Sequence, residues 1–283
     1  HLNIKNLSIK LHIELLIKLN SYEERVFKIM EAFKKHKIKH ISASNINTFI
    51  TNPAEWVINY IYKIPFPGSA AAERGKYIEK ALFHILANGV SVEQALQEQT
   101  YLFIETCKEM KVDKEEYLKE KEFVEKAIKI LPKHLSKFGK ITGYQNKIGY
   151  NYKGIDIIGY TDFDFELPDG SPLILDLKTT KKINVSTGHK IAQHIYKTAT
   201  NKPNKLFYVK VLKTKEEVEE YELTDEDNVK IPLLIHRAIE NMNYLCSLAN
   251  SKDDFKRLIT PNPDDWKWND ETKLKARKDI WGF

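Results

Sequence analysis

Cysteine is nearly absent: the 283 residues hold two, Cys107 and Cys246. Two thiols make no disulfide framework, and a four-thiolate iron–sulfur cluster cannot form within one chain. No apolar stretch approaches the length of a membrane span, and no secretory leader pattern is visible. The expectation is therefore a cytoplasmic protein with no membrane partner. Proline and glycine are sparse, at 10 and 11 residues, and no low-complexity tract or internal repeat interrupts the chain. A single elaborated domain with a substantial core fits that length. Strong charge of one sign is also missing. Lys and Arg number 45 against 39 Asp and Glu, a formal net charge of +6, which favours a polyanionic partner without proving one.

What is present is a pair of strand-like segments bearing acids. From Ile155 to Leu167 the odd positions are Ile155, Ile157, Gly159, Thr161, Phe163, Phe165 and Leu167; the even ones include Asp156, Asp162, Asp164 and Glu166. Side chains alternate along a strand, so one face reads as apolar and the other as acidic. The next run repeats the split, with Leu173, Leu175 and Leu177 opposite Ile174, Asp176 and Lys178. Between them Pro168-Asp169-Gly170-Ser171-Pro172 has turn chemistry. Antiparallel neighbours sharing one acidic face are expected.

Asp162, Asp176 and Lys178 suit metal-assisted hydrolysis. Magnesium and manganese are hard cations that prefer carboxylate oxygens, and two carboxylates leave coordination positions for water and phosphate. A lysine two residues after a ligand points the same way and can orient a nucleophile or stabilise developing charge. The bland alternative is a solvated strand face, and for Asp164 and Glu166 it is preferred.

Two helices add candidates. Ala70 to Ala87 has helical periodicity, and Glu79 sits within its apolar stripe of Ile78, Ala81, Leu82, Ile85 and Leu86. A carboxylate there needs a cation, a lysine or water, because burying it alone would cost several kcal/mol. In the helix expected over Ser186 to Thr200, Gln193 and Tyr196 lie on one face. For His189 and His194 a surface position is the expectation.

Together these residues resemble the PD-(D/E)xK nuclease superfamily and, within it, the RecB-like, phage-type exonuclease branch. The carriers are Gly159-Tyr160-Thr161-Asp162, then Asp176-Leu177-Lys178-Thr179, with Gly75-Lys76-Tyr77-Ile78-Glu79 upstream and Gln193 with Tyr196 downstream. The spacing from Gln193 to Tyr196 is one residue shorter than usual in that branch. Ser42 to Phe49 followed by Asn52-Pro53-Ala54-Glu55-Trp56 resembles its leading helices, with Asn52 where a cluster cysteine often stands. Trp266, Trp268 and Trp281 are expected to pack where that cluster would be.

The resemblance implies one or two Mg2+ or Mn2+ ions on Glu79, Asp162, Asp176 and the carbonyl of Leu177, with Lys178 positioning water, Gln193 supporting the site and no iron–sulfur cluster. It implies hydrolysis of DNA, duplex with free ends, in phage-type recombination or degradation. A homo-oligomer or a single-strand annealing partner is a further expectation. Lys181 and Lys182, just past the lysine strand, are expected DNA contacts, as are Ser44, Arg74 and Tyr196. Three alternatives stay open: an endonuclease, an RNA-directed nuclease, and a non-catalytic nucleic-acid-binding protein.

The expected fold is mixed α/β (α+β), with a restriction-endonuclease-like core. A mostly antiparallel central sheet is flanked by helices, and the N-terminal half is helical. Residues 1–40 read as a helical arm and 41–283 as the nuclease domain. Within the latter, 41–138 form a helical wall, 139–250 the sheet core and 251–283 a tail. One helix is expected over about Asn45 to Ile61.

Overall fold

A computed structural model of the chain describes residues 31–66, 68–180, 182–211 and 216–283. Residues 1–30 of the expected arm lie outside the described residues, as does Lys181. Ala32, Phe33 and Ile38, also assigned to that arm, are buried in the main core.

A six-stranded mixed sheet organises the rest. Its first strand, β1 (His40–Ser42), is only three residues long and runs parallel to the long strand β3 (Ile155–Glu166). β2 (Lys140–Tyr152) pairs antiparallel with β3 through a tight turn at Lys153-Gly154, where both residues have positive φ. β4 (Pro172–Thr179) is antiparallel to β3. β5 (Asn204–Val211) is parallel to β4, and β6 (Glu216–Tyr221) closes the sheet antiparallel to β5. Antiparallel pairs thus outnumber parallel ones, as expected.

Helices cover both sides. α1 (Ala43–Thr51) follows β1 directly, its first turn capped by the Ser42 hydroxyl. The single helix expected to Ile61 is instead broken. Asn52 has extended backbone and its side chain caps the short α2 (Pro53–Trp56), which continues into a π-helical stretch, Val57–Tyr62. Pro53 is the cause: it lacks the N–H that would continue the preceding helix but suits the first position of a new one. α3 (Ala70–Asn88), α4 (Val92–Glu109) and α5 (Lys114–Leu135) form the helical wall. α6 (Thr187–Thr200) links β4 to β5, and α7 (Asp225–Leu248) packs behind it. The short α8 (Phe255–Leu258) and α9 (Glu271–Trp281) end the chain. No described helix is long and apolar enough to cross a membrane.

Two hydrophobic clusters result. One joins the residue 32–61 region, α6 and α7 to Ile155, Ile157 and Ile174. The other joins α3, α4 and α5 to Phe163, Phe165, Leu173, Leu175, Leu177 and Phe207. β4 therefore alternates as its sequence suggests, with Ile174 in one cluster and its odd-numbered leucines in the other. β3 does not: its odd residues divide between the clusters. The reason lies in its partners. The β1 ladder ends at Ile158 and the β4 ladder begins at Phe163, so residues 159–161 pair only with β2 and Asp162 falls between the registered pairs. The strand changes layers across this stretch.

The C-terminal residues pack on α2. Trp268 and Ala276 are buried with Ala54 and Ile58, and Trp281 packs alongside. Asn52 donates to Asp265 over 3.0 Å, and Glu55 is paired with Lys267 and Lys273. Polar bonds thus tie the tail to Asn52 and Glu55 at the start of α2. Trp266 departs from its expectation: it is 74% exposed, because its 3-10 turn directs Trp268 inward instead.

Candidate active site

The stretch where β3 and β4 part company carries the acids. Asp162 is buried, and its Oδ2 accepts a 2.8 Å hydrogen bond from the backbone N–H of Leu177. That carboxylate does the work a ladder carbonyl does elsewhere, so it is fixed by the backbone of the strand bearing Asp176. Asp176 is almost fully buried, and Lys178 Nζ donates to its Oδ1 over 2.8 Å. The same ammonium lies 3.8 Å from Asp162 Oδ2. Asp162, Asp176 and Lys178 therefore converge as their sequence spacing suggests.

Glu79 approaches from α3, in the opposite layer. Gly75, one turn earlier, faces the end of β4, and the space there would accept a small side chain. A Cβ built there would lie 4.0 Å from both Glu79 Oε1 and Thr179 Oγ1. Gln145 Nε2 donates to Glu79 Oε2 over 2.9 Å. Gln145 has a φ of 51°, the left-handed region that costs a non-glycine side chain energy. This kink in β2 turns the amide toward Glu79. Sequence reading missed Gln145, since nothing in its local text marks a strand residue as irregular.

The electrostatics follow from crowding. Burial pushes the Glu79 carboxyl up to about 7; Lys178 and the Gln145 bond oppose the rise, while Asp176 adds to it. Burial also holds Asp162 well above the usual carboxylate range, and the charge of Asp176 raises it further against the pull of Lys178. For Lys178, burial alone would favour the neutral amine, but Asp176 and Asp162 outweigh it and raise its pKa. Lys178 is thus a fixed ammonium. It can donate hydrogen bonds, and it is unsuited to taking up a proton as a general base.

Three carboxylates face one ammonium. Among the described residues, no three His, Cys, Asp or Glu side chains already stand in a metal-ready arrangement. Lys178 occupies the space between the aspartates. The donor chemistry nonetheless fits a hard divalent cation: the ligands offered are carboxylate oxygens, and Asp176 Oδ2 is buried with no hydrogen-bond partner. The surplus negative charge is what such an ion would neutralise.

A cavity of about 610 Å3 opens onto this group. Asp162, Lys178 and Gln145 lie on its wall, with Ser44 at the start of α1, Tyr196 and His189 from α6, and Tyr160 from β3. His189 is not a plain surface residue: it is partly buried and hydrogen-bonded to the Tyr208 hydroxyl. Burial lowers its pKa, and Lys178 lowers it further. Tyr196 closes over Gly159, where an added Cβ would meet its ring at 3.0 Å. His194 is also partly buried and contacts Thr198.

Other candidates fall elsewhere. Gln193 is fully buried, with both side-chain amide atoms unpartnered. Its backbone carbonyl accepts from the Asn204 side chain, which anchors α6 at the start of β5. Lys182 is exposed in the turn after β4, which the Thr180 hydroxyl holds in place. Arg74 gives up its expected place among the DNA contacts. Its guanidinium is buried, paired with Glu120, stacked over Phe123 and bonded to the Thr179 carbonyl at 2.9 Å. It ties the Glu79 helix to the end of the Asp176 strand.

A mixed sheet that presents two aspartates and a lysine from adjacent strands, with a glutamate arriving from a flanking helix, defines a class of phosphodiester-cleaving folds. The chain belongs to the PD-(D/E)XK nuclease superfamily, whose family model matches residues 40–261. The fold is similar to that of a Eubacterium rectale protein provisionally named an exonuclease. Their TM-score is 0.50 at 15% identity, covering 84% of this chain and 87% of that one. A second solved structure, SSO0001, is 14% identical over 90% of this chain and 93% of its own, with a TM-score of 0.35. No curated protein matches the sequence significantly.

Proposed function

We propose that the chain is a divalent-metal-dependent exonuclease that hydrolyses DNA from its ends. The observation that carries this reading is the convergence of Asp162, Asp176 and Lys178, with Glu79 reaching in from α3, beside an open cavity. Glu79, Asp162 and Asp176 would hold the cation, with the Leu177 carbonyl as a further donor by family analogy. A hard divalent ion bound there supplies Lewis acidity toward water and the phosphate.

The chain's own groups do the rest. The Leu177 N–H fixes the Asp162 carboxylate to the strand that carries Asp176, so one ligand is held in advance, while Lys178 would move from between the aspartates to admit the ion. Lys178 stays protonated and orients the attacking water or donates to a phosphate oxygen. Gln145 aims Glu79, and the Asn204 amide, donating to the Gln193 backbone carbonyl, ties α6 to the start of β5. Ser44, Tyr196 and Lys182 are proposed contacts to the DNA strand. The mild positive net charge agrees with a polyanionic substrate. Action in phage-type recombination or DNA degradation belongs to the same proposal.

The test is one cleavage panel. End-labelled linear duplex and covalently closed circles are incubated with the protein in Mg2+, Mn2+ or chelator. The expected result is loss of linear DNA only, and only with metal. Cleavage of closed circles would make the protein an endonuclease. Equal cleavage in chelator would remove the cation from the proposal.

A further inference from the structure

The cavity beside the acids offers more than phosphate chemistry. Tyr160 stands on its wall with its side chain 49% exposed, two residues before Asp162 on the same strand. A single exposed aromatic in a strand is common on a protein surface, so its exposure alone decides nothing. Here three observations favour a partner. The ring shares its cavity with Asp162 and Lys178, so anything resting on it lies next to the reacting centre. The cavity, at about 610 Å3, has room for a nucleotide. Exposed Lys147 sits directly across from Tyr160 in the β2–β3 register, and opposite residues of an antiparallel pair share a face.

We propose that Tyr160 is a stacking platform for an unpaired nucleobase flanking the scissile phosphate, with Lys147 contacting the adjoining backbone phosphate. This deepens the nuclease reading and rests on it: the substrate class becomes a single-stranded or frayed end. Every base has a π face, so an aromatic ring gives sequence-tolerant grip on unstacked nucleotides, whereas a fully paired duplex keeps its bases covered. The ring is set on a paired strand, so it is presented without the ordering that a mobile loop would need.

The experiment uses a single-stranded oligonucleotide carrying 2-aminopurine near its end, in chelator so that it stays intact. Anisotropy gives the affinity, and 2-aminopurine fluorescence reports stacking. Tyr160→Ala is expected to weaken binding about tenfold, the scale of one lost base–aromatic stack, and to remove the fluorescence quench. Tyr160→Phe and Tyr160→Trp should keep both, which also shows that the position tolerates change. Lys147→Ala should weaken binding while lowering the salt dependence by about one counterion. In Mg2+, Tyr160→Ala should slow cleavage of single-stranded and frayed ends more than that of blunt ends.

If Tyr160→Ala binds and quenches like the unaltered protein while that protein cleaves DNA, the platform is overturned and the nuclease reading stands. If Tyr160→Phe loses as much as Tyr160→Ala, the hydroxyl rather than the ring is responsible, and stacking is again overturned. A protein that neither binds nor cuts any polynucleotide would overturn both.

Discussion

Asp176→Asn is expected to lower metal-dependent cleavage about 10³-fold, the upper end of what removing one preorganised electrostatic contact costs. The change is nearly isosteric. The amide oxygen can still accept from Lys178, and the backbone bond from Leu177 to Asp162 does not involve the altered group. Folding should therefore survive, and so should DNA binding. Stability in chelator should change little, because relief of the charge crowding on Glu79 and Asp162 offsets the lost ion pair with Lys178. The gain in Tm that the unaltered protein shows on adding Mg2+ should shrink sharply. Single-turnover cleavage alongside thermal denaturation, each with and without Mg2+, separates these effects. Unchanged cleavage would remove Asp176 from the site.

Lys178→Ala should have a different signature, with loss of cleavage accompanied by loss of metal-free stability. Its ammonium is the cation nearest the buried Asp162 and Asp176. Removing one partner of a buried charge group leaves the rest uncompensated, which costs about 3–5 kcal/mol. Mg2+ should restore much of that stability, since it can take over the neutralising role, but not the cleavage rate. The pH dependence has a fixed sign. A carboxyl whose pKa is raised by folding binds more protons folded than unfolded, so its contribution is most favourable below the unfolded value. For Glu79 that means stability in chelator falls as pH rises from 4.5 to about 7. Without Lys178, which lowers the pKa of both Glu79 and Asp162, the decline should run to higher pH. Mg2+ should flatten it. Denaturation midpoints across this range, with chelator or Mg2+, read all three effects.

Much of this site was legible in the chain because the chemistry lies on regular elements. Period-two alternation carries Asp176 and Lys178 to one side of β4, and helical periodicity places Glu79 one turn after Gly75. What escaped sequence reading depends on contacts between distant segments. β1 is three residues long and exists only by pairing with Ile157 and its neighbours. The left-handed Gln145 arises where β2 follows β3 through the layer change. Arg74 reads as a free cation next to the Gly75 motif, yet Glu120 lies opposite it in α5 and buries it. His189 reads as a surface residue until β5 brings Tyr208 against it. In each case local text is silent about a partner more than a dozen residues away.

The central claim is that the carboxylates of residues 79, 162 and 176 share one cation. Anomalous diffraction from crystals grown with Mn2+, using protein that cleaves DNA in the same buffer, tests it most directly. The expected result is a manganese peak bonded to oxygens of all three side chains, at about the 2.0–2.2 Å typical of small hard cations. A peak elsewhere, with the Lys178 ammonium still seated between the two aspartates, would contradict it.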